Sequence, residues 1–167
     1  MDSRSVQMPW LEPGLVEWVQ WLLDSFRDLT GKELCAREGS EAAQAAALFS
    51  APCVVVSHGM EADPVLNYGN RQALILWEMT WADLTRTPSR LTAEPVDQAK
   101  REQMLMRAVS QGYIDDYRGI RISRTGRRFL VEGATVWNVQ DLQRQRRGQA
   151  ATFTTWTFLD ADQRVPR

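Results

Sequence analysis

YIDDYRGIRISRTGRRFLVEGATVWNV, residues 113–139, is rich in β-branched and aromatic residues and is broken once, at Ser123-Arg124-Thr125-Gly126-Arg127. Val, Ile, Thr, Tyr and Phe suit the pleated, half-buried surface of a strand, and a short break containing glycine has the length of a hairpin loop. Two long antiparallel strands are therefore expected, at 113–123 and 128–139. A polar loop is expected over 140–148, followed by a third strand at 149–159, where Thr and aromatic residues are frequent.

Upstream the period changes. CVVVSHG (53–59) and VLNYG (65–69) are short runs bounded by Pro52 and by the turn Glu61-Ala62-Asp63-Pro64, and they are expected to pair as a hairpin with strands at 53–58 and 65–69. Asn70 then stands at an N-cap position, opening a helix with Leu74, Ile75, Trp77 and Glu78 on or near one face. Thr80 caps a further turn through Leu84. A longer helix is expected from about Val96 to Ser110, with Met104, Leu105, Ala108 and Val109 as its buried edge and Gly112 as its stop. The order is strand, strand, short helices, long helix and three strands, which predicts a five-stranded antiparallel sheet with the first strand central.

At the front of the chain, Pro13 suits a first helical turn. Leu15, Val16, Trp18, Val19, Leu22, Leu23, Phe26 and Leu29 follow at spacings of mostly three and four as far as Gly31. So broad an apolar face must cover the sheet of its own domain or the same helix of a second chain. The expectation carried forward is a homodimer through this helix. Behind Ser40, the alanine-rich run from Glu41 to Phe49 predicts a short second helix that ends before Pro52.

At 167 residues the chain has the length of one domain, and with 44% hydrophobic and 25% charged residues it lies far from the composition of disordered chains. The net charge of −1 supplies no basic field, which argues against direct binding to nucleic acid. Arg124, Arg127, Arg128, Arg144, Arg146 and Arg147 gather near two turns and read as a solvated rim. Cys35 and Cys53 have no CxxC spacing and His58 is the single histidine, so neither a metal site nor a disulfide framework is expected. No stretch has the length and apolarity of a signal peptide or membrane span, and the expected compartment is cytoplasmic. There is no glycine-flanked nucleophile and no phosphate loop, so no catalytic residue is assigned.

The segments VVVSHGMEADPVLNYGNRQALILWEMTWADLTRTPSRLTAEP (54–95), QGYIDDYRGIRISRTGRRFLVEGATVWNV (111–139) and GQAATF (148–153) closely resemble the MEKHLA domain. This PAS-related family occurs in bacterial proteins and at the C-termini of plant class III homeodomain-leucine zipper transcription factors. The resemblance runs over roughly residues 10–159. It implies an α+β, PAS-like fold: a five-stranded antiparallel sheet with helices on one face, plus an N-terminal helical extension. The corresponding division is 1–51 for the extension, 52–160 for the core and 161–167 for a C-terminal tail. A sensory or regulatory role is implied, with no established catalytic residue and no agreed cofactor. The DNA-binding and zipper segments of the plant proteins have no counterpart in these residues.

In PAS-like folds a ligand lies between the inner face of the sheet and the helices that follow the second strand. On that geometry the candidate ligand-binding residues are His58, Asn70, Trp77, Tyr113, Tyr117, Trp137 and Gln149. Regular alternation would put Tyr113 and Tyr117 on one strand face and point Asp115 and Asp116 in opposite directions. A flat molecule could then stack on Trp77 or Trp137, with His58, Asn70 and Gln149 supplying polar contacts. Three readings follow: a small-ligand sensor, a protein-interaction or dimerisation module with a filled core, and a small enzyme using the same cavity.

Overall fold

In a computed structural model of the chain, residues 8–94 and 98–160 are described. Helix α1 (Pro13–Thr30) begins on its proline and ends at Gly31, whose φ of 74° is left-handed and free of strain only for glycine. Helix α2 (Glu41–Phe49) is capped by Ser40, which accepts from the Ala43 N–H. The hairpin β1 (Val54–His58) and β2 (Leu66–Gly69) follows, then α3 (Arg71–Trp77) and α4 (Trp81–Leu84), the latter closed by a capping box between Thr80 and Asp83. A 3-10 turn, Ser89–Thr92, leads to α5 (Gln98–Gln111). The expected start of this helix near Val96 lies outside the described residues, as do the extreme N-terminus and the tail at 161–167. Strands β3 (Tyr113–Ile122), β4 (Arg128–Gln140), β5 (Arg146–Phe153) and β6 (Trp156–Leu159) complete the chain.

All the pairings are antiparallel and the main order is β2-β1-β5-β4-β3, so β5 rather than the first strand is central. The expected strand at 149–159 is two strands. β5 starts earlier, at Arg146, and β6 leaves it at Thr154 to pair with the beginning of β4. The expected polar loop shrinks to the turn 141–145, because Asp141 organises it. Its Oδ1 accepts from the N–H groups of Gln143 and Gln145, and its Oδ2 accepts from Arg147.

Alternation along β1 divides the core in two. Val54 and Val56 face one cluster with Leu76, Trp77, Tyr117, Phe129 and Val136, under α3 and α5. Val55 faces the other, with Tyr68, Trp137, Val139 and Ala150, and this is covered by Val19, Leu22, Leu23 and Phe26 of α1 and by Ala45 and Leu48 of α2. The helices after β2 thus cover one face as expected, while the N-terminal helices cover the other. Of the two coverings open to the apolar face of α1, the sheet of its own chain is the one observed. On α5, Ala108 is fully buried and Met104 and Leu105 are half-buried, but Val109 is 39% exposed and does not belong to the buried edge.

Two β-bulges set which side chains face which cluster. Between Ile114 and Tyr117, β3 runs three residues against two of β4, whereas between Val131 and Ala134 the extra residue is on β4, at Gly133 with φ 67°. Each bulge reverses the alternation. Asp115 and Asp116 consequently both face solvent, and Tyr113 and Tyr117 lie on opposite faces.

Candidate functional site

The α5 side of the sheet holds a small, partly open cavity of about 30 Å³, room for about one or two water molecules. It adjoins an open cleft of about 290 Å³, and His58, Ser89, Arg101, Leu105 and Gln149 belong to the walls of both. The local reasons for this arrangement are visible in the chain. β1 ends in a register shift at His58, the 3-10 turn holds Ser89 and Thr92 over the sheet, and α5 runs across the far side.

His58 stands opposite Gln149 in the β1–β5 ladder. Its Nδ1 lies 2.9 Å from the Gly59 carbonyl and donates to it, which leaves Nε2 as an acceptor in the neutral ring. Burial holds the imidazole below its ordinary pKa, with Arg101 and Arg146 acting in the same direction against the Gly59 carbonyl and Glu61, so His58 is neutral at pH 7. Gln149 is buried and donates from Nε2 to the Leu105 carbonyl at 2.9 Å, which ties the central strand to α5. Trp77 forms part of the inner wall, and its buried Nε1–H has no hydrogen-bond partner among the described residues.

Two arginines dominate the electrostatics. Arg121, 6% exposed, projects from β3 into the cavity, donates from Nη1 to Thr92 Oγ1 at 2.9 Å and lies 5.1 Å above the ring of Tyr117. Arg101, on α5, donates to Ser89 Oγ from the same 3-10 turn. Neither has an ion pair among the described residues. Burial, reinforced by the neighbouring charge of Arg121, lowers Arg101 to about 10, so it remains a cation at pH 7. Arg146 stands in the cleft wall, half-buried and with no ion pair among the described residues.

Of the seven residues nominated from the sequence, His58, Trp77 and Gln149 meet at the cavity, and Tyr117 lies directly behind Arg121. The other three do not. Asn70 is fully buried in the framework: its Oδ1 accepts from the N–H groups of Val55 and Ala73, and its Nδ2 donates to the carbonyls of Cys53 and Leu48. Tyr113 and Trp137 are cross-strand partners on the α1 side, where the Trp137 indole donates to Ser25 Oγ and meets Phe26 edge-on at 4.9 Å. The bulge at Asp115 and Asp116 removes Tyr113 from the face of Tyr117. An inner cavity of this size also cannot house a flat multi-ring ligand between Trp77 and Trp137, which are on opposite sides of the sheet.

Arg101, Arg121, Ser89 and Thr92 lie outside that set of seven, although the sequence carries a signal for each of the two arginines. Arg101 precedes Leu105 and Ala108 by four and seven residues, so the helical period puts it on the buried face of α5. Arg121 stands between Ile120 and Ile122 near the end of its strand and is in phase with Tyr117, which puts it on the inner face.

A twisted antiparallel sheet with this strand order, and with a cavity between the sheet and the helix preceding its third strand, defines a PAS-class domain. The fold is similar to the PAS domain of a Colwellia psychrerythraea protein, with TM-score 0.58 at 14% identity over 66% of this chain and 91% of that one. It is also similar to a PAS domain from a two-component sensor histidine kinase (TM-score 0.51, 18% identity, 67% and 89% coverage). The sequence profile of the MEKHLA domain matches residues 16–158, and the chain belongs to that family. It is 26% identical over 163 residues to homeobox-leucine zipper protein ATHB-9 of Arabidopsis thaliana, covering 93% of this chain and 19% of that protein. The chain therefore spans about a fifth of the length of this relative.

Proposed function

We propose that this MEKHLA domain is a regulatory sensor module that takes a small ligand in the cleft between α5, the 3-10 turn and the ends of β1 and β5. The observation that carries this reading is the continuity of an open cleft with an interior cavity whose walls combine apolar side chains with buried polar groups. Its neighbours support a regulatory role: one belongs to a sensor histidine kinase, and another PAS domain, at TM-score 0.50, was solved in complex with ethanol and belongs to a LuxR-family transcriptional regulator of Burkholderia thailandensis. The test is mass spectrometry of the purified protein under native and then denaturing conditions, combined with a thermal-shift screen of metabolites. A released small molecule, or a compound that raises Tm with concentration, is expected. The absence of both, in a broad screen, would overturn the reading.

A protein-interaction reading draws on a different feature. Met106, 66% exposed, and Val109 form an apolar rim to the cleft on α5, where a partner could read its occupancy. Self-association through α1 would have to use the side of that helix turned away from the sheet, since Val19, Leu22, Leu23 and Phe26 are already covered. Light scattering on the chain at micromolar concentration tests it, and a monomer would remove the homodimer. No helix among the described residues is long and apolar enough to cross a membrane.

A further inference from the structure

We infer that the ligand of this cleft is a small organic carboxylate, its charged end held by Arg101 and Arg121 and its compact apolar body lying against the inner wall. The inference rests on the ligand-binding reading above and specifies its chemistry. Both guanidinium groups contribute to one cavity, and both are anchored on hydroxyls of a single turn, Arg101 on Ser89 and Arg121 on Thr92. Hydroxyl anchors fix the position of a guanidinium without neutralising it, and among the described residues no carboxylate forms an ion pair with either arginine. Elsewhere in the described chain nine ion pairs join arginines to carboxylates. Of the acidic residues at the cleft, Asp63 is paired with Arg90, and Glu102 stands on the outer wall without an ion pair to Arg101.

The orphaned donors point the same way. Six buried side-chain polar atoms have no partner among the described residues, and four of them are N–H groups of cavity or cleft residues: Trp77 Nε1, Arg101 Nε, Arg121 Nε and Arg146 Nε. Buried donors normally find acceptors, and unmet donors on residues that wall the cavity and the adjoining cleft favour an acceptor-only group. A carboxylate is such a group, and its planar pair of oxygens matches the fork of a guanidinium. Two cations side by side in a buried wall also repel one another, and the fall in the Arg101 pKa has this as its second cause. An anion relieves both the repulsion and the unmet donors. Val56, Leu66, Val136 and Ala151 complete the inner wall and leave a body of few atoms, without further charge, as the part that can follow the carboxylate inward. Neutral His58 offers Nε2 to a hydroxyl donor and adds no further positive charge to those of Arg101, Arg121 and Arg146.

The test uses the full chain, exhaustively dialysed, in thermal-shift and calorimetric titrations at pH 7 with acetate, butyrate and benzoate, the corresponding neutral amides, and inorganic phosphate. The carboxylates are expected to raise Tm with concentration and to lose affinity as chloride is added, with no response to the amides. Arg101→Met and Arg121→Met should each weaken carboxylate binding by about tenfold or more, the worth of a charged hydrogen bond, while Arg118→Met, at an exposed pair with Glu132, leaves it unchanged. Should a Met variant fail to fold, Arg121→Lys retains the charge without the fork and is expected to bind more weakly than the parent. Equal response to amides and acids would overturn the carboxylate while the ligand-binding reading survives, as would a response to phosphate alone. Failure of every acid and every neutral compound to bind would overturn both.

Discussion

Under α1 the sheet presents Val55, Tyr68, Trp137, Val139 and Ala150 to a continuous apolar layer, and its polar groups are mostly matched: Trp137 donates to Ser25, Trp18 to Ser57, and Ser57 to Asn67. The arginine on that side, Arg37, has a carboxylate, donating to Asp24 at 2.6 Å as well as to Gln20 and Gln44. Under α5 the same sheet presents Arg121 and Gln149 among its apolar residues, holds a partly open cavity, and leaves several N–H donors unmet. One buried hydroxyl, that of Tyr68, is unmatched on the α1 side. The contrast separates two uses of a sheet face. The α1 side completes nearly all of its side-chain hydrogen bonds within the chain, whereas the α5 side keeps several donors open, and it is this open capacity on which the ligand proposal rests.

Trp137→Ala should break the closed face most severely. The indole is fully buried, is hydrogen-bonded to Ser25 and packs edge-on against Phe26. Its removal is expected to cost about 3–5 kcal/mol, measured by urea unfolding. If the comparison between the faces is right, carboxylate affinity in the fraction that remains folded is unchanged. A small stability loss with a large affinity loss would place Trp137 at the ligand and undo the distinction.

Asn70→Ala comes next and probes the seam between the faces. Its side chain makes four hydrogen bonds, to Val55, Ala73, Cys53 and Leu48, and serves as N-cap of α3. An N-cap is worth about 1 kcal/mol, and stranding the buried Val55 N–H and the two carbonyls adds to it, for an expected loss of about 2–4 kcal/mol in chemical denaturation. Retention of wild-type stability would mean that this amide does not hold α3 to β1.

The order of elements was legible because it rests on local signals: Pro13 and Gly31 bracket α1, Ser40, Asn70 and Thr80 each cap a helix, and Gly126 turns the β3–β4 hairpin. The facing of side chains was only partly legible. Alternation carries a facing along a strand until a bulge resets it, and the residues at the β3 bulge, Asp115 and Asp116, have no composition that marks an insertion. This is why Tyr113 and Trp137 were nominated with Tyr117. His58, Trp77 and Gln149 escaped the error because each lies on an element whose phase is uninterrupted up to the cavity. The arginines escaped notice for another reason: charge normally signals solvent, and only the phase of α5 and β3 shows that Arg101 and Arg121 turn inward.

The smallest effect expected is a pH dependence confined to the open face. His58 is held neutral by burial, with Arg101 and Arg146 opposing its protonation and Glu61 and the Gly59 carbonyl favouring it, and the net effect is a folded-state pKa below the ordinary 6.5. The unfolded chain therefore binds more protons than the folded one in the window from 6.5 down to the lowered folded value. Stability is fully present above 6.5 and is lost as pH falls through that window, with a slope of at most about 1.4 kcal/mol per pH unit for one proton. Asp83, held below its ordinary 3.8 by hydrogen bonds from Thr80, gives up its contribution only at more acid pH and does not overlap. Urea unfolding of the parent and of His58→Asn, which keeps a donor near the Gly59 carbonyl, at intervals from pH 7.5 to 5 isolates the effect. The parent is expected to weaken below pH 6.5 and the variant to stay level there. Equal slopes in the two proteins would mean that the proton goes elsewhere and that His58 is not the buried neutral base the geometry describes.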